Sequence, residues 1–207
     1  MALRNFNDLN DLHLDVLREI GNIGTGNAAT SLASMLQKPV NIQVPRINVL
    51  EYDAVTELLG GPENMIVGIM LSLSGDISGM MMFLLEKDFA HTIVNDLLGG
   101  CFSGFQDIDE LSISALKEIG NIMAASYVNA ISQLTNMTID ISVPSMSVDM
   151  AGAIMSVPAI YFADIGDHVI FIQDEFTGET ENMTSHILLI PNGDSLEKIM
   201  RNLGVEI

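Results

Sequence analysis

The sequence predicts an α+β fold of two pseudo-symmetric helix-strands-helix halves with a mainly antiparallel sheet. Three observations predict it. A frame of residues repeats after 99 positions, and two long stretches carry helical periodicity. The remainder holds short alternating segments punctuated by glycine and proline, without the regular strand-helix alternation of a doubly wound parallel sheet. The repeat is explicit in Arg18-Glu19-Ile20-Gly21-Asn22-Ile23 and Lys117-Glu118-Ile119-Gly120-Asn121-Ile122. Asp15, Glu19, Asn22 and Pro45 are matched in order by Ser114, Glu118, Asn121 and Pro144. A shared Glu-x-x-Asn alone is weak evidence. The same spacing to a proline 23 residues further on marks a duplication, with one domain built of repeats at about 1–104 and 105–207.

Residues 11–37 read as the first helix. Asn10 or Asp11 can cap its free amides, Leu12, Val16, Leu17, Ile20, Ile23, Ala28, Leu32 and Met35 recur at helical spacing, and Pro39 ends it. The second copy spans about 109–135, with Leu111, Leu116, Ile119, Ile122, Val128, Ile131 and Leu134 in the matching stripe. Each helix leads into an alternating segment, 40–45 and 139–144, which reads as a half-buried strand closed by Pro45 or Pro144. Strands follow at Met65 to Leu73 and Ser78 to Leu85, joined by a hairpin turn at Gly75-Asp76, then a short helix from Asp88 to Leu98 stopped by Gly99-Gly100. The second half reads as strands at Ala153 to Phe162, Val169 to Gln173 and Ser185 to Ile190, with a final helix from Ser195 to Leu203. Its polar stretch Thr177 to Asn182 reads as a loop holding about seven extra residues, because Met80 to Leu84 and His186 to Ile190 correspond at an offset of 106.

Composition narrows the function classes. Hydrophobic residues make up 48 % of 207, yet no apolar run reaches the roughly 18 to 20 residues that cross a bilayer. The N-terminal stretch lacks the basic and apolar blocks of a signal peptide, so a cytoplasmic protein without membrane insertion is expected. A single cysteine, Cys101, cannot form an intramolecular disulfide and reads as a small apolar residue near a turn. A net charge of −19, with eight basic residues scattered along the chain, repels phosphate backbones and excludes nucleic acid as the expected partner. The fourteen methionines, Met80-Met81-Met82 among them, read as adaptable core filler.

The duplicated motif carries the chemistry. At 100° per residue Asp15, Glu19 and Asn22 fall within about 60° of one another, opposite the apolar stripe. Any amphipathic helix has a polar face, so that alone decides nothing. Asn, however, is a poorer helix former than Ala by about half a kcal/mol, and it is kept mid-helix in both copies. A projecting carboxamide offers an acceptor and a donor from one stiff group, and can hold a water and direct its other lone pair at an electrophile. Phosphoryl transfer asks for little more. The neighbouring Glu, itself an anion, is better suited to pair with a cation on the protein carrying the phosphate.

The frame Asp/Ser-x-x-x-Glu-x-x-Asn, then 22 residues and Pro, resembles the signature of the CheC/CheX/FliY phosphatases of bacterial chemotaxis, and both copies fit it in full. Two sites in about 200 residues is the CheC arrangement within that family; the chain stops at Ile207, without the motor-switch domain of FliY. The resemblance implies a hydrolase whose substrate is the phospho-aspartyl response regulator CheY. By it, Asn22 and Asn121 orient the attacking water, Glu19 and Glu118 pair with a lysine of CheY, and Asp15 and Ser114 support docking. The difference between those last two would make the sites unequal. It implies no cofactor of the chain's own, with Mg²⁺ on CheY, and a second partner, the deamidase CheD. Pro45 and Pro144 read as fixing strand ends. The alternative is a non-catalytic adaptor that binds CheY or CheD, or a flagellar-switch component.

Other signals are set aside. Gly24-Thr25-Gly26 superficially matches a dinucleotide-binding loop, but lies inside a helix, and the second copy places Met123 and Ala125 at the glycine positions. Small residues permitting close helix packing explain it better. His13, His91, His168 and His186 have no metal-ligand spacing, so no metal site is expected. Arg18 and Lys117, just before each Glu, read as tethers of that Glu, contacts to an acidic partner, or solvated charge.

Overall fold

The computed structural model describes residues 9–100, 104–105, 108–164, 166–177 and 182–205. The elements run α1 (Asp11–Leu36), β1 (Asn41–Ile42), β2 (Arg46–Glu51), α2 (Tyr52–Leu58), β3 (Met65–Gly75), β4 (Gly79–Leu85) and α3 (Lys87–Leu98). The same order recurs as α4 (Glu110–Thr135), β5 (Ile139–Ile141), β6 (Ser145–Met150), α5 (Ala151–Tyr161), β7 (His168–Thr177), β8 (Asn182–Pro191) and α6 (Gly193–Asn202).

Both long helices begin on a side-chain cap. The Asn10 side chain accepts from the His13 amide at 3.1 Å while His13 Nδ1 accepts from the Asn10 amide at 3.0 Å, a reciprocal box with His in the usual place of Glu. Asp109 accepts from the Ser112 amide at 2.8 Å, and hydrogen bonds from the Ser112 side chain and amide hold its carboxyl below the usual range. The helices end on Gln37 (φ 53°) and Asn136 (φ 56°), both left-handed.

The strands form one sheet in the order β1-β7-β8-β4-β3-β5, with β2 also on the outer edge of β7 and β6 on that of β3. Every strand pair among the described residues is antiparallel. The halves are intertwined: β2 of the first pairs with β7 of the second, and β6 of the second with β3 of the first. At the centre Met82 of β4 stands opposite Leu188 of β8, its repeat mate, so a pseudo-twofold axis passes through that pair. Helices α1, α3, α4 and α6 cover one face and α2 and α5 the other, with separate hydrophobic clusters on the two sides. Strand alternation divides the methionine triplet, Met81 facing the first cluster and Met80 and Met82 the second, and all three are buried.

Several expectations are corrected. Ala153 to Phe162 is not a strand but most of helix α5, the counterpart of α2. The segments 40–45 and 139–144 are not single strands: β1 has two residues and β5 three, and Pro45 and Pro144 each stand where one edge strand lapses before another begins. Proline has no N–H for the ladder, which confines such a break to a sheet edge. The extra residues of the second half are not all in the β7–β8 connection. Arg46 pairs with Gln173 where its mate Ser145 pairs with Met70, an offset of 103, so four of the added residues precede β7. They match the lengths of α5, 11 residues, and α2, seven. Thr177 is the last residue of β7 and Asn182 the first of β8, while 178–181 and Cys101 lie outside the described residues. No helix among the described residues is long and apolar enough to cross a membrane.

Candidate functional site

Helix α1 buries His13, Leu17, Ile20, Gly21, Gly24, Thr25, Ala28 and Leu32, which leaves Asp15, Glu19 and Asn22 exposed together on the other side. Helix α4 does the same with Ser114 and Glu118 exposed and Asn121 half-buried. Residues three apart on a helix have Cβ atoms about 5–6 Å apart, so each Glu and Asn can engage one partner surface at once. Among the described residues no side chain hydrogen-bonds or ion-pairs with Glu19, Asn22, Glu118 or Asn121. Among the described residues the asparagines therefore serve no internal cap, and both donor and acceptor face outward groups only.

Each strip faces its own broken edge of the sheet. In the second copy Ser114, Lys117, Glu118 and Asn121 line a groove of about 390 Å³ together with Ile141, Ser142, Val143 and Pro144. Pro144, read as a strand terminator, is thus also a wall of the groove. The loop is clipped to β3, the Ser142 amide donating to the Ser72 carbonyl and the Ser72 amide to Ser142 Oγ, both at 3.0 Å. In the first copy the Gln43 amide donates to the Glu175 carbonyl at 3.0 Å and holds the matching loop to β7. The two loops occupy opposite edges of the sheet.

The glycine before each Asn brings helix and sheet together. A Cβ on Gly21 would lie 2.2 Å from Ile47 Cδ1 and 3.7 Å from Pro45 Cγ, and one on Gly120 would lie 2.6 Å from Ile69 Cγ2. Sequence reasoning missed these two as positioning residues, although Gly-Asn recurs in both copies. It also missed the buried group Thr25, Tyr127 and Asp174: Asp174 stands between Gln173 and Glu175 in a polar triplet of β7, and nothing in the sequence marks it as the buried one. Gly24 lies beneath the Tyr127 ring, so the close-packing reading of Gly24-Thr25-Gly26 holds for Gly24; it fails for Gly26, which is exposed and has nothing within 4 Å of an added Cβ.

The sites differ in charge. Arg18 Nη1 pairs with Asp15 Oδ1 at 2.5 Å, so Arg18 tethers Asp15 and not Glu19. Both are exposed, and such a pair contributes at most about 1 kcal/mol. Ser114 offers Lys117 no such partner. Four aliphatic residues assigned to buried stripes or strands also stand in solvent: Leu12, Val44, Leu111 and Val143.

The histidines have structural neighbours. His13 caps α1, His168 Nδ1 lies 2.6 Å from Asp167, and His186 Nε2 lies 3.1 Å from Glu86 while its ring stacks on Phe171. Among the described residues no group of three or more His, Cys, Asp or Glu side chains gathers to hold a metal ion.

The sequence profile of the CheC-like family matches residues 12–49 and 111–148, the two stretches from each helix start through each proline. The CheY-P phosphatase CheC of Bacillus subtilis (strain 168) is 32% identical over 206 residues, covering 98% of this chain and 99% of its own length. The flagellar motor switch phosphatase FliY of the same organism is 30% identical over 138 residues, 66% of this chain and 36% of FliY. The crystal structure of Thermotoga maritima FliY matches with a TM-score of 0.75 over 95% of this chain and 98% of that one, at 23% identity, a likeness of fold.

Proposed function

The chain belongs to the CheC-like family, and from that premise we propose that it is a hydrolase removing the phosphoryl group from the phospho-aspartate of the response regulator CheY. The observation that carries the reading is the near-full-length relationship to a CheY-P phosphatase, in a chain that keeps both Glu/Asn pairs. The exposure of Glu19, Asn22 and Glu118, the half-buried place of Asn121 in the groove wall, and the lack of side-chain partners among the described residues support the site assignment.

Docked CheY presents its acyl phosphate to one helix strip. The carboxamide oxygen of Asn22 or Asn121 accepts a hydrogen bond from a water and holds its oxygen in line with phosphorus. That oxygen bonds to phosphorus as the bond to the aspartyl oxygen breaks; the carboxylate leaves, and the water's proton departs with inorganic phosphate or solvent. Glu19 or Glu118 pairs with the CheY lysine, which fixes the angle of approach. Asp15 and Ser114, one turn earlier, contact the docked protein. Mg²⁺ belongs to CheY and the chain brings no cofactor. The setting is cytoplasmic, and the deamidase CheD is a second partner.

The test follows the dephosphorylation of phosphorylated CheY with the parent, Asn22→Ala, Asn121→Ala and the double substitution. Removing an oriented catalytic group costs about 10²-fold or more, so the double variant is expected to fall to the spontaneous rate. A double variant as fast as the parent would sink the mechanism. A parent that binds without accelerating hydrolysis would make the protein an adaptor.

A further inference from the structure

Leu12 is 57 % exposed and its repeat mate Leu111 60 %; Val44 is 79 % exposed and its mate Val143 87 %. Each leucine lies one turn before Asp15 or Ser114 on the face that carries Glu and Asn. Val143 lines the groove beside Ser114, Glu118 and Asn121, and Val44 precedes Pro45, which packs near Gly21. Single apolar side chains on a surface need no explanation. Here the same two positions stay aliphatic and outward in both copies, the leucine one turn before the polar strip and the valine on the loop beside it.

We infer that each site has an apolar rim, Leu12 with Val44 and Leu111 with Val143, that seats apolar side chains bordering the phosphoryl group of the incoming response regulator. The inference rests on the phosphatase reading. Val143 lines the groove that holds Glu118 and Asn121, and Leu111 stands one turn before Ser114, another residue of its wall, so a protein that brings a phosphoryl group to Asn121 passes beside both. A net charge of −19 gives no general attraction to an acidic partner and repels a second copy of this chain. Burial of aliphatic surface supplies attraction that salt does not screen.

The test removes the first site with Glu19→Arg and Asn22→Ala, then adds Leu111→Ser or Val143→Ser. Initial rates are measured across concentrations of phosphorylated CheY, and beryllofluoride-activated CheY is titrated calorimetrically. Each substitution is expected to raise KM and Kd about 5- to 20-fold with kcat within two-fold, while Val143→Ile stays at the parent value. Val143→Thr, which keeps the branched shape, replaces Val143→Ser should the latter melt lower than its parent. KM and Kd unchanged in both variants would overturn the rim even with normal turnover. Binding without turnover, weakened by the same substitutions, would support the rim and sink the phosphatase reading. Neither binding nor turnover in the parent would overturn both.

Discussion

The phenol of Tyr127 donates to Asp174 Oδ2 over 2.7 Å in the interior, where α1, α4 and β7 meet. Thr25 Oγ1 donates to Asp174 Oδ1 at 2.9 Å and lies 2.6 Å from the Tyr127 hydroxyl. Three contacts among three groups need three protons, and the two hydroxyls supply only two. The third is present when Asp174 is protonated at Oδ2, which reverses the first bond: Asp174 then donates to the Tyr127 hydroxyl, Tyr127 to Thr25 Oγ1, and Thr25 still to Asp174 Oδ1. Burial pushes the Asp174 carboxyl up to about 6, against which the bonds from Tyr127 and Thr25 act, and burial also pushes the Tyr127 phenol well above its ordinary value.

A pH dependence of stability follows. The folded-state pKa lies above the unfolded one, so the contribution of Asp174 is full below about pH 4 and is lost as pH rises through about 6. At about 1.4 kcal/mol per unit the loss is on the order of 3 kcal/mol. Asp174→Asn cannot titrate. Its unfolding free energy in urea is expected to gain on the parent's between pH 4 and 7, and two curves parallel throughout that range would refute the assignment.

Two glycines two residues apart should respond with opposite sign. A Cβ on Gly24 would lie 2.6 Å from Tyr127 Cδ1, and the ring is held at its far end by Asp174. Gly24→Ala is expected to cost about 1–3 kcal/mol. A Cβ on Gly26 meets nothing within 4 Å, and Gly26→Ala should stabilise by about 0.5–1 kcal/mol through helix propensity. Thermal melts of the two variants decide it, and a shared direction would contradict this packing.

The second site should outpace the first. Asp15 gives α1 one more negative charge than Ser114 gives α4, and a carboxylate and a dianion about 8 Å apart in water repel by about 1 kcal/mol, roughly five-fold. Ser114→Asp in an Asn22→Ala background is expected to lower kcat/KM about 2- to 5-fold at low salt, with the difference shrinking at high salt. A loss that salt leaves unchanged would point to shape and away from charge.

Helix-to-sheet distance should tune turnover. With the second site silenced by Asn121→Ala, Gly21→Ala drives a Cβ toward Ile47 Cδ1, 2.2 Å away. The expected result is a kcat about 3- to 10-fold lower, restored to within two-fold by adding Ile47→Val, which removes that methyl. If Ile47→Val failed to rescue, Gly21 would not act through this contact.

Both long helices and both Glu/Asn strips were legible because a buried face with period 3.6 and a 99-residue repeat are local facts. Helix α5 was not. Its buried residues Ala151, Ile154, Met155 and Pro158 do follow helical spacing, but Val157, Ile160 and Tyr161 are exposed apolar residues that blur the contrast. The same effect hid the rim, since an outward Leu12 or Val143 looks identical to a core residue until burial is known. Pro45 and Pro144 were legible as breaks in a strand. That a second edge strand resumes after each depends on β7 and β3, which lie far away in sequence.

The exchange of β2 and β6 between the halves has an evolutionary reading. A one-repeat ancestor with this pairing would have left its β3 edge, its β4 edge and its own edge pair β1 and β2 without partners. A second copy, turned about the axis now marked by Met82 and Leu188, satisfies all three at once. Such an ancestor would have folded as a twofold dimer with identical sites. Fusion of the two copies would then have removed the dependence of folding on concentration and freed each site to drift, as Asp15 and Ser114 have drifted apart.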